Sequence, residues 1–80
     1  MKEKIRDELN QIFKVLFKDN QINITEDTSA DSVDGWDSIT HLSLIVEVEK
    51  KFNIEITGFD VMNLKNVGDL INLIIKKQSN

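Results

Sequence analysis

Asp37-Ser38-Ile39 is the part of this sequence best placed to do chemistry. It follows an acidic loop containing Gly35 and leads into a strongly apolar segment, so the serine falls at the start of a predicted helix. A hydroxyl there is reachable from the loop side. The first turn of a helix presents N–H groups without intrahelical partners and partial positive charge, a favourable setting for a phosphate ester on Ser38. Three chemistries suit these residue types. They are attachment of a phosphorylated group to Ser38, nucleophilic attack by Ser38 with His41 as base, and cation binding by Asp27, Asp31, Asp34 and Asp37.

The second and third fail on spacing. Nucleophilic catalysis needs a base oriented by a third group and donors for an oxyanion. His41, the only histidine, lies three residues after Ser38 on roughly the same side of the helix, and no oxyanion hole is evident. A bundle of 80 residues also leaves little room for a substrate cleft. No catalytic residue is assigned, and His41 reads as a boundary residue beside the loop, within reach of whatever Ser38 carries. An EF-hand loop needs glycine at its sixth position and glutamate at its twelfth. With Gly35 sixth, the first position is Ala30 and the twelfth is His41, so the acids read as a solvated loop and no metal ligand is assigned. Gly35, Gly58 and Gly68 stand too far apart for a glycine-rich phosphate loop.

Length and composition bound the rest. Eighty residues make one domain, 1–80, with a small core. At 40% hydrophobic and 30% charged residues the composition is that of a globular chain rather than a disordered one. There is no cysteine, which excludes disulfides, thiolate metal sites and thiol chemistry by the protein's own side chains. The net charge of −4 argues against binding the nucleic-acid backbone and for basic protein partners. Met1-Lys2-Glu3-Lys4 opens an amphipathic pattern with no apolar leader, and no apolar run is long enough to span a bilayer. A cytoplasmic monomer without membrane insertion is the expectation.

The elements that must position Ser38 are helical. Ile5, Leu9, Ile12, Phe13 and Leu16 recur at helical spacing and predict a helix from Lys2 to Phe17, ended by Lys18-Asp19-Asn20. Residues 21–36 have no helical period; Ile22 and Ile24 alternate as a short extended piece, with Val33 and Trp36 as later anchors. So long a loop in so small a domain points to function. A second helix runs from Asp37 or Ser38 to Phe52, with Asp37 as N-cap and Asn53 as the left-handed residue after it. At about 100° per residue, Leu42, Leu44, Ile45, Val48 and Phe52 fill its apolar arc, with Ile39 and Val46 at the edge. Thr40, Ser43, Glu47, Lys50 and Lys51 lie opposite. Glu49 falls inside the apolar arc, where its carboxylate must reach solvent, a backbone group or a lysine. Phe59 to Leu64 predicts one or two irregular turns. A last helix begins at the N-cap Asn66, with Asp69 in its first turn, and closes at Lys76-Lys77 before the tail 78–80. The fold class is all-α, a small four-helix bundle of three main helices and one short one.

On these residues a family resemblance enters. Gly35-Trp36-Asp37-Ser38-Ile39-Thr40-His41-Leu42, continued by Leu44-Ile45-Val46-Glu47-Val48-Glu49-Lys50-Lys51-Phe52-Asn53-Ile54, resembles the signature of the acyl carrier protein family. Leu64-Lys65-Asn66-Val67-Gly68-Asp69-Leu70-Ile71 is similar to the start of that family's last helix. The resemblance implies that Ser38 is esterified with 4′-phosphopantetheine from coenzyme A by a phosphopantetheinyl transferase. The arm's thiol would then carry acyl groups as thioesters, supplying the sulfur that the chain lacks. It implies a carrier rather than an enzyme, loaded by an acyl- or aminoacyl-activating ligase and served by acyltransferases or synthases. An aminoacyl or peptidyl carrier is the alternative cargo class, and an unmodified helical adaptor the alternative outside the family.

The same resemblance marks Asp37 and Ile39 as residues that partner enzymes meet, and Ser43, Val46 and Glu47 extend that strip along the second helix. Leu42, Ile45, Leu64, Val67 and Leu70 are candidates for an inner acyl pocket, with core packing as the plainer reading. Where the carriers of fatty acid synthesis show several acids on this helix, the present chain has Thr40, Ser43 and Lys50, with Glu47 as an added acid. Trp36 and His41 resemble a subset of stand-alone carriers of specialised pathways, so polyketide, lipid or modified-sugar synthesis is expected over housekeeping fatty acid synthesis.

Overall fold

Thirteen side chains from three helices and two connecting segments form one apolar core. The computed structural model describes residues 2–79; Met1, which precedes the predicted first helix, and Asn80, the last residue of the expected tail, lie outside the described residues. The helices are α1 (Lys2–Leu16), α2 (Ser38–Phe52), α3 (Gly58–Met62) and α4 (Val67–Gln78), with a 3-10 turn at Ala30–Ser32 inside the long loop. The described chain contains no strand, so the all-α expectation holds. Ile5, Leu9 and Phe13 of α1 meet Leu44, Ile45, Val48 and Phe52 of α2 and Val67, Leu70, Ile71 and Ile74 of α4, while Ile24 and Ile56 close the gaps from outside the helices. A fully buried Leu, Ile or Phe contributes about 1.5–3 kcal/mol relative to an exposed one, and this core is the main source of stability.

Helix ends fall where capping chemistry puts them. Lys18 and Asn53 take left-handed φ values of 52° and 54°, which stop α1 and α2. After α2 the chain folds back, with Ile54 N–H donating to the Glu49 carbonyl oxygen at 3.2 Å and its side chain packed against the core. Asn66 caps α4 by accepting from the Asp69 N–H at 2.8 Å. This last helix continues to Gln78, one residue beyond the expected close. The irregular turns expected at Phe59–Leu64 are a short α-helix that starts one residue earlier, because Thr57 and Asp60 exchange side-chain and backbone hydrogen bonds as a capping box. A 3.0 Å ion pair from Lys77 to Asp60 ties α3 to α4.

The long loop is held rather than free. Asn10 on α1 donates from Nδ2 to the Ile22 carbonyl at 3.2 Å and accepts the Ile24 N–H at 2.8 Å, which pins the extended piece and buries Ile24. Farther on, the carbonyls of Glu26 and Thr28 accept the first N–H groups of α4, from Gly68 and Val67, each at 2.8 Å. A side chain at position 68 would put a Cβ 3.0 Å from the Glu26 oxygen, so the close approach requires glycine.

One expectation for α2 is overturned. Leu42, placed in the apolar arc, is 61% exposed. Leu42 lies one turn from both Ile39 and Val46 and belongs with them on the outer strip, because the neighbouring elements cover a narrower face of α2 than its apolar arc. The proposed inner pocket fails with it. Ile45, Val67 and Leu70 are core, Leu64 is half-buried near Ser38, and Leu42 faces solvent, so the five do not line one cavity.

Candidate functional site: a serine at a helix start

Ser38 is the first residue of α2, and its neighbour Asp37 is the N-cap in extended conformation. The Asp37 carboxylate accepts the N–H groups of Ile39 and Thr40, both at 3.0 Å. In return the Thr40 hydroxyl accepts the Asp37 N–H at 2.7 Å. That hydroxyl has one proton to give, and its shortest acceptor is the Gly35 carbonyl at 2.7 Å. Thr40 was expected only as a polar residue of the outer face; it is the reciprocal half of the cap. The capping box that sequence rules seek has Glu or Gln at this place, so threonine gave no signal. The bonds from Thr40, backbone first and then side chain, hold the Asp37 carboxyl below the usual carboxylate range.

The arrangement corrects the expectation of open N–H groups waiting for an anion. Two of the first N–H groups of α2 are taken by Asp37, itself an anion, and the His41 N–H is bonded to the Asp37 carbonyl at 2.8 Å. What the helix start offers is the Ser38 hydroxyl. Ser38 is exposed, and its side chain makes no hydrogen bond among the described residues.

The loop before Ser38 is anchored by an aromatic stack. The Trp36 N–H donates to the Val33 carbonyl at 3.2 Å across a turn in which Gly35 has φ 87°, a left-handed value that glycine supplies without strain. This aims the indole at α1, where it meets Phe13 edge-on at 5.2 Å and Phe17 at 6.3 Å between ring centroids. On its other side, Trp36 Nε1–H donates to His41 Nδ1 at 3.1 Å, and the two rings lie at 25° to each other. Sequence spacing placed His41 beside the loop but did not show this bond. Burial pushes the imidazole below the usual histidine range. His41 is therefore engaged with Trp36, and among the described residues no hydrogen bond joins it to Ser38.

Ser38 opens onto a cleft of about 430 Å³ lined by Ala30, Trp36, Asp37, His41, Val61, Leu64 and Lys65. Its far wall is apolar, from Val61 at the end of α3 and Leu64 just after it. Beyond the cleft, Ile39 is 76% and Val46 46% exposed, which puts both on the outer strip with Leu42 rather than in the core. Ser43 and Glu47 are exposed beside them. Sequence reasoning missed the exposed apolar side chains of α3, where Phe59 is 70% and Met62 85% exposed. Both sit in a segment read as irregular, so no wheel could assign them a face. The acids Asp27, Asp31, Asp34 and Asp37 form no cluster suited to a metal ion among the described residues.

Comparison with known proteins bears on the same site. Residues 3–74 match a family model described as a phosphopantetheine attachment site. Over 43 residues, 54% of this chain and 53% of the relative, the sequence is 40% identical to an acyl carrier protein of Arthrobacter sp. (strain FB24). It is 42% identical to one from Onion yellows phytoplasma over 53 residues, 66% of this chain and 70% of the relative. The chain spans about half the length of the first of these relatives. Among solved structures, it is similar to the solution structure of a holo acyl carrier protein from Geobacter metallireducens. The TM-score is 0.86 and the identity 42%, over 91% of this chain and 84% of that one.

Proposed function

The chain belongs to the acyl carrier protein family, and we propose that it carries acyl groups on a 4′-phosphopantetheine arm attached to Ser38. The observation that supports this most directly is the Ser38 hydroxyl itself. It is exposed and without a side-chain partner, at the mouth of an open cleft, on a helix start made rigid by Asp37, Thr40 and Gly35. In the attachment step, Ser38 Oγ forms a bond to the pantetheine-side phosphorus of coenzyme A as that phosphorus loses its bond to the bridging oxygen. The adenosine 3′,5′-bisphosphate half leaves, and the hydroxyl proton passes to the transferase. When bound, the arm supplies a thiol that holds acyl groups as thioesters, the sulfur this cysteine-free chain lacks. The chain's own residues hold the attachment point still, present a docking strip and leave catalysis to partner enzymes.

Partners in this reading are a phosphopantetheinyl transferase, an acyl-activating ligase, and acyltransferases or synthases. Asp37, Ile39, Ser43, Val46 and Glu47 would meet them. The strip is apolar and weakly charged. Along α2 its acid Glu47 lies 4.0 Å from Lys50, and both are exposed, so the strip's negative charge rests mainly with Asp37 at its start. That weak charge supports a specialised biosynthetic pathway, such as polyketide, lipid or modified-sugar synthesis.

Incubation with coenzyme A, Mg²⁺ and a broad-specificity phosphopantetheinyl transferase, read by intact mass, tests the assignment. The expected result is a gain of one phosphopantetheine, abolished by Ser38→Ala while the helical spectrum is retained. No gain with several transferases would make the chain an unmodified adaptor. Loading of the modified form by acyl- and aminoacyl-activating ligases then reads the cargo, and a preference for an amino acid would replace the acyl assignment with an aminoacyl one.

A further inference from the structure

We propose that Trp36 and His41 form a donor site for the phosphodiester that modification places on Ser38, an inference that rests on the carrier reading above. The need for such a site follows from Asp37. Its carboxylate occupies the N–H groups of Ile39 and Thr40, so the helix start gives a second anion few donors and a like charge close by. Any protein donor the phosphodiester gains, beyond the water that reaches exposed Ser38, comes from elsewhere in the cleft.

Indole nitrogen can only donate, so the 3.1 Å Trp36–His41 bond makes His41 Nδ1 the acceptor. A neutral imidazole with an accepting Nδ1 carries its proton on Nε2. The ring is half-buried and shares the cleft wall with Ser38, so this N–H is the donor it retains. Side chains three apart on a helix are neighbours, with Cβ atoms about 5–6 Å from each other, yet among the described residues no hydrogen bond joins Ser38 to His41, whose Nδ1 is taken by Trp36. A phosphate on Ser38 Oγ adds two bonds of reach and offers only acceptors. The charged groups on the cleft wall are Asp37 from α2 and Lys65 from the segment before α4. Val61, Leu64 and Ala30 are uncharged, and α1 meets the pair through Phe13 and Phe17 against Trp36. His41 thus donates as a neutral group, and Lys65 supplies the one cation of the cleft.

Nitrogen-15 NMR of the imidazole, in unmodified and enzymatically modified protein whose mass gain is verified, reads the site without any acyl transfer. The unmodified protein should show the Nε2–H tautomer. After modification the His41 pKa should move upward, because the phosphodiester favours the imidazolium, and the phosphorus-31 resonance should titrate with it. Trp36→Phe keeps a ring against Phe13 but removes the indole donor; the tautomer lock should relax and the pKa of the unmodified variant should rise. An Nδ1–H tautomer, or a His41 pKa unmoved on mass-verified modified protein, overturns the donor site and leaves the carrier reading intact. An unmoved tautomer and pKa in Trp36→Phe overturn the Trp36 lock. Absence of any mass gain overturns the carrier reading and the donor site together.

Discussion

The two ends of α2 solve the same backbone problem with opposite results. At the N-terminal end, Asp37 and Thr40 satisfy each other's N–H groups at the surface, and the residues that follow on the outer strip, Ile39, Leu42 and Val46, are 76%, 61% and 46% exposed. At the C-terminal end, Glu49 turns inward. Its carboxylate accepts the Ile56 N–H at 2.9 Å, its carbonyl accepts the Ile54 N–H, and Phe52 and Ile56 are both 9% exposed. One end displays and the other seals. The end that carries Ser38 thus presents apolar side chains and an exposed hydroxyl above the buried Phe13 and its contact with Trp36, while the other end closes the core.

The most severe way to break this division is from beneath the open end. Phe13 is fully buried and supports Trp36 from α1. Phe13→Ala should cost about 3–5 kcal/mol in urea unfolding, and at temperatures where the variant stays folded it should also slow Ser38 modification as the Trp36 anchor loosens. A normal modification rate would show that the loop keeps its shape without the aromatic stack. Next comes the sealed end. Glu49→Ala orphans the half-buried Ile56 N–H and should cost about 1–3 kcal/mol, with Glu49→Gln, which keeps an acceptor, losing less. Neither should change the modification rate. A slowed modification in Glu49→Ala would mean that the two ends are coupled.

A milder substitution sharpens the contrast. Ile39→Ala on the exposed strip should leave stability within about 0.5 kcal/mol, since the side chain is 76% exposed and outside the core, while lowering kcat/KM for the transferase that the proposed docking strip would meet. A stability loss of core size would place Ile39 with Leu44 and Val48.

How much of this was legible before the structure follows the same division. The helices, their caps at Asp37, Asn53 and Asn66, and the core residues Ile5, Leu9, Phe13, Leu44 and Val48 are local or periodic features, and sequence pattern reads both. The fate of Glu49 was half legible: the wheel put it inward, but its partner, the Ile56 N–H, depends on where the chain turns after Asn53. Leu42 was misplaced because a wheel gives direction without saying how wide a face the neighbours cover. The Trp36–His41 bond and the Asn10 clamp on Ile22 and Ile24 join residues through loop geometry, which has no period to read. Ser38 was singled out from residue type and position, while the engagement of His41 with Trp36 required coordinates.

The smallest expected effect is a slope. Asp37 has its carboxyl held below the usual range by its bonds to Thr40, so its contribution to stability is present above that range and is lost as pH falls through its folded value. Asp60 behaves alike, held low first by the Thr57 N–H and then by Lys77. Wild-type stability should therefore fall on acidification from about pH 5 toward pH 3, with both carboxylates contributing. Asp37→Asn keeps an oxygen that can accept from Ile39 and Thr40 but removes the titration. Its stability should fall less steeply across that window, and His41, held below the usual histidine range by burial in both proteins, cancels in the comparison. Denaturant unfolding at a series of pH values reads the two slopes. Identical slopes would mean that the Asp37 cap is equally strong with its carboxyl protonated, and that the open end of α2 owes its rigidity to Thr40 and the Gly35 carbonyl rather than to the charge beside Ser38.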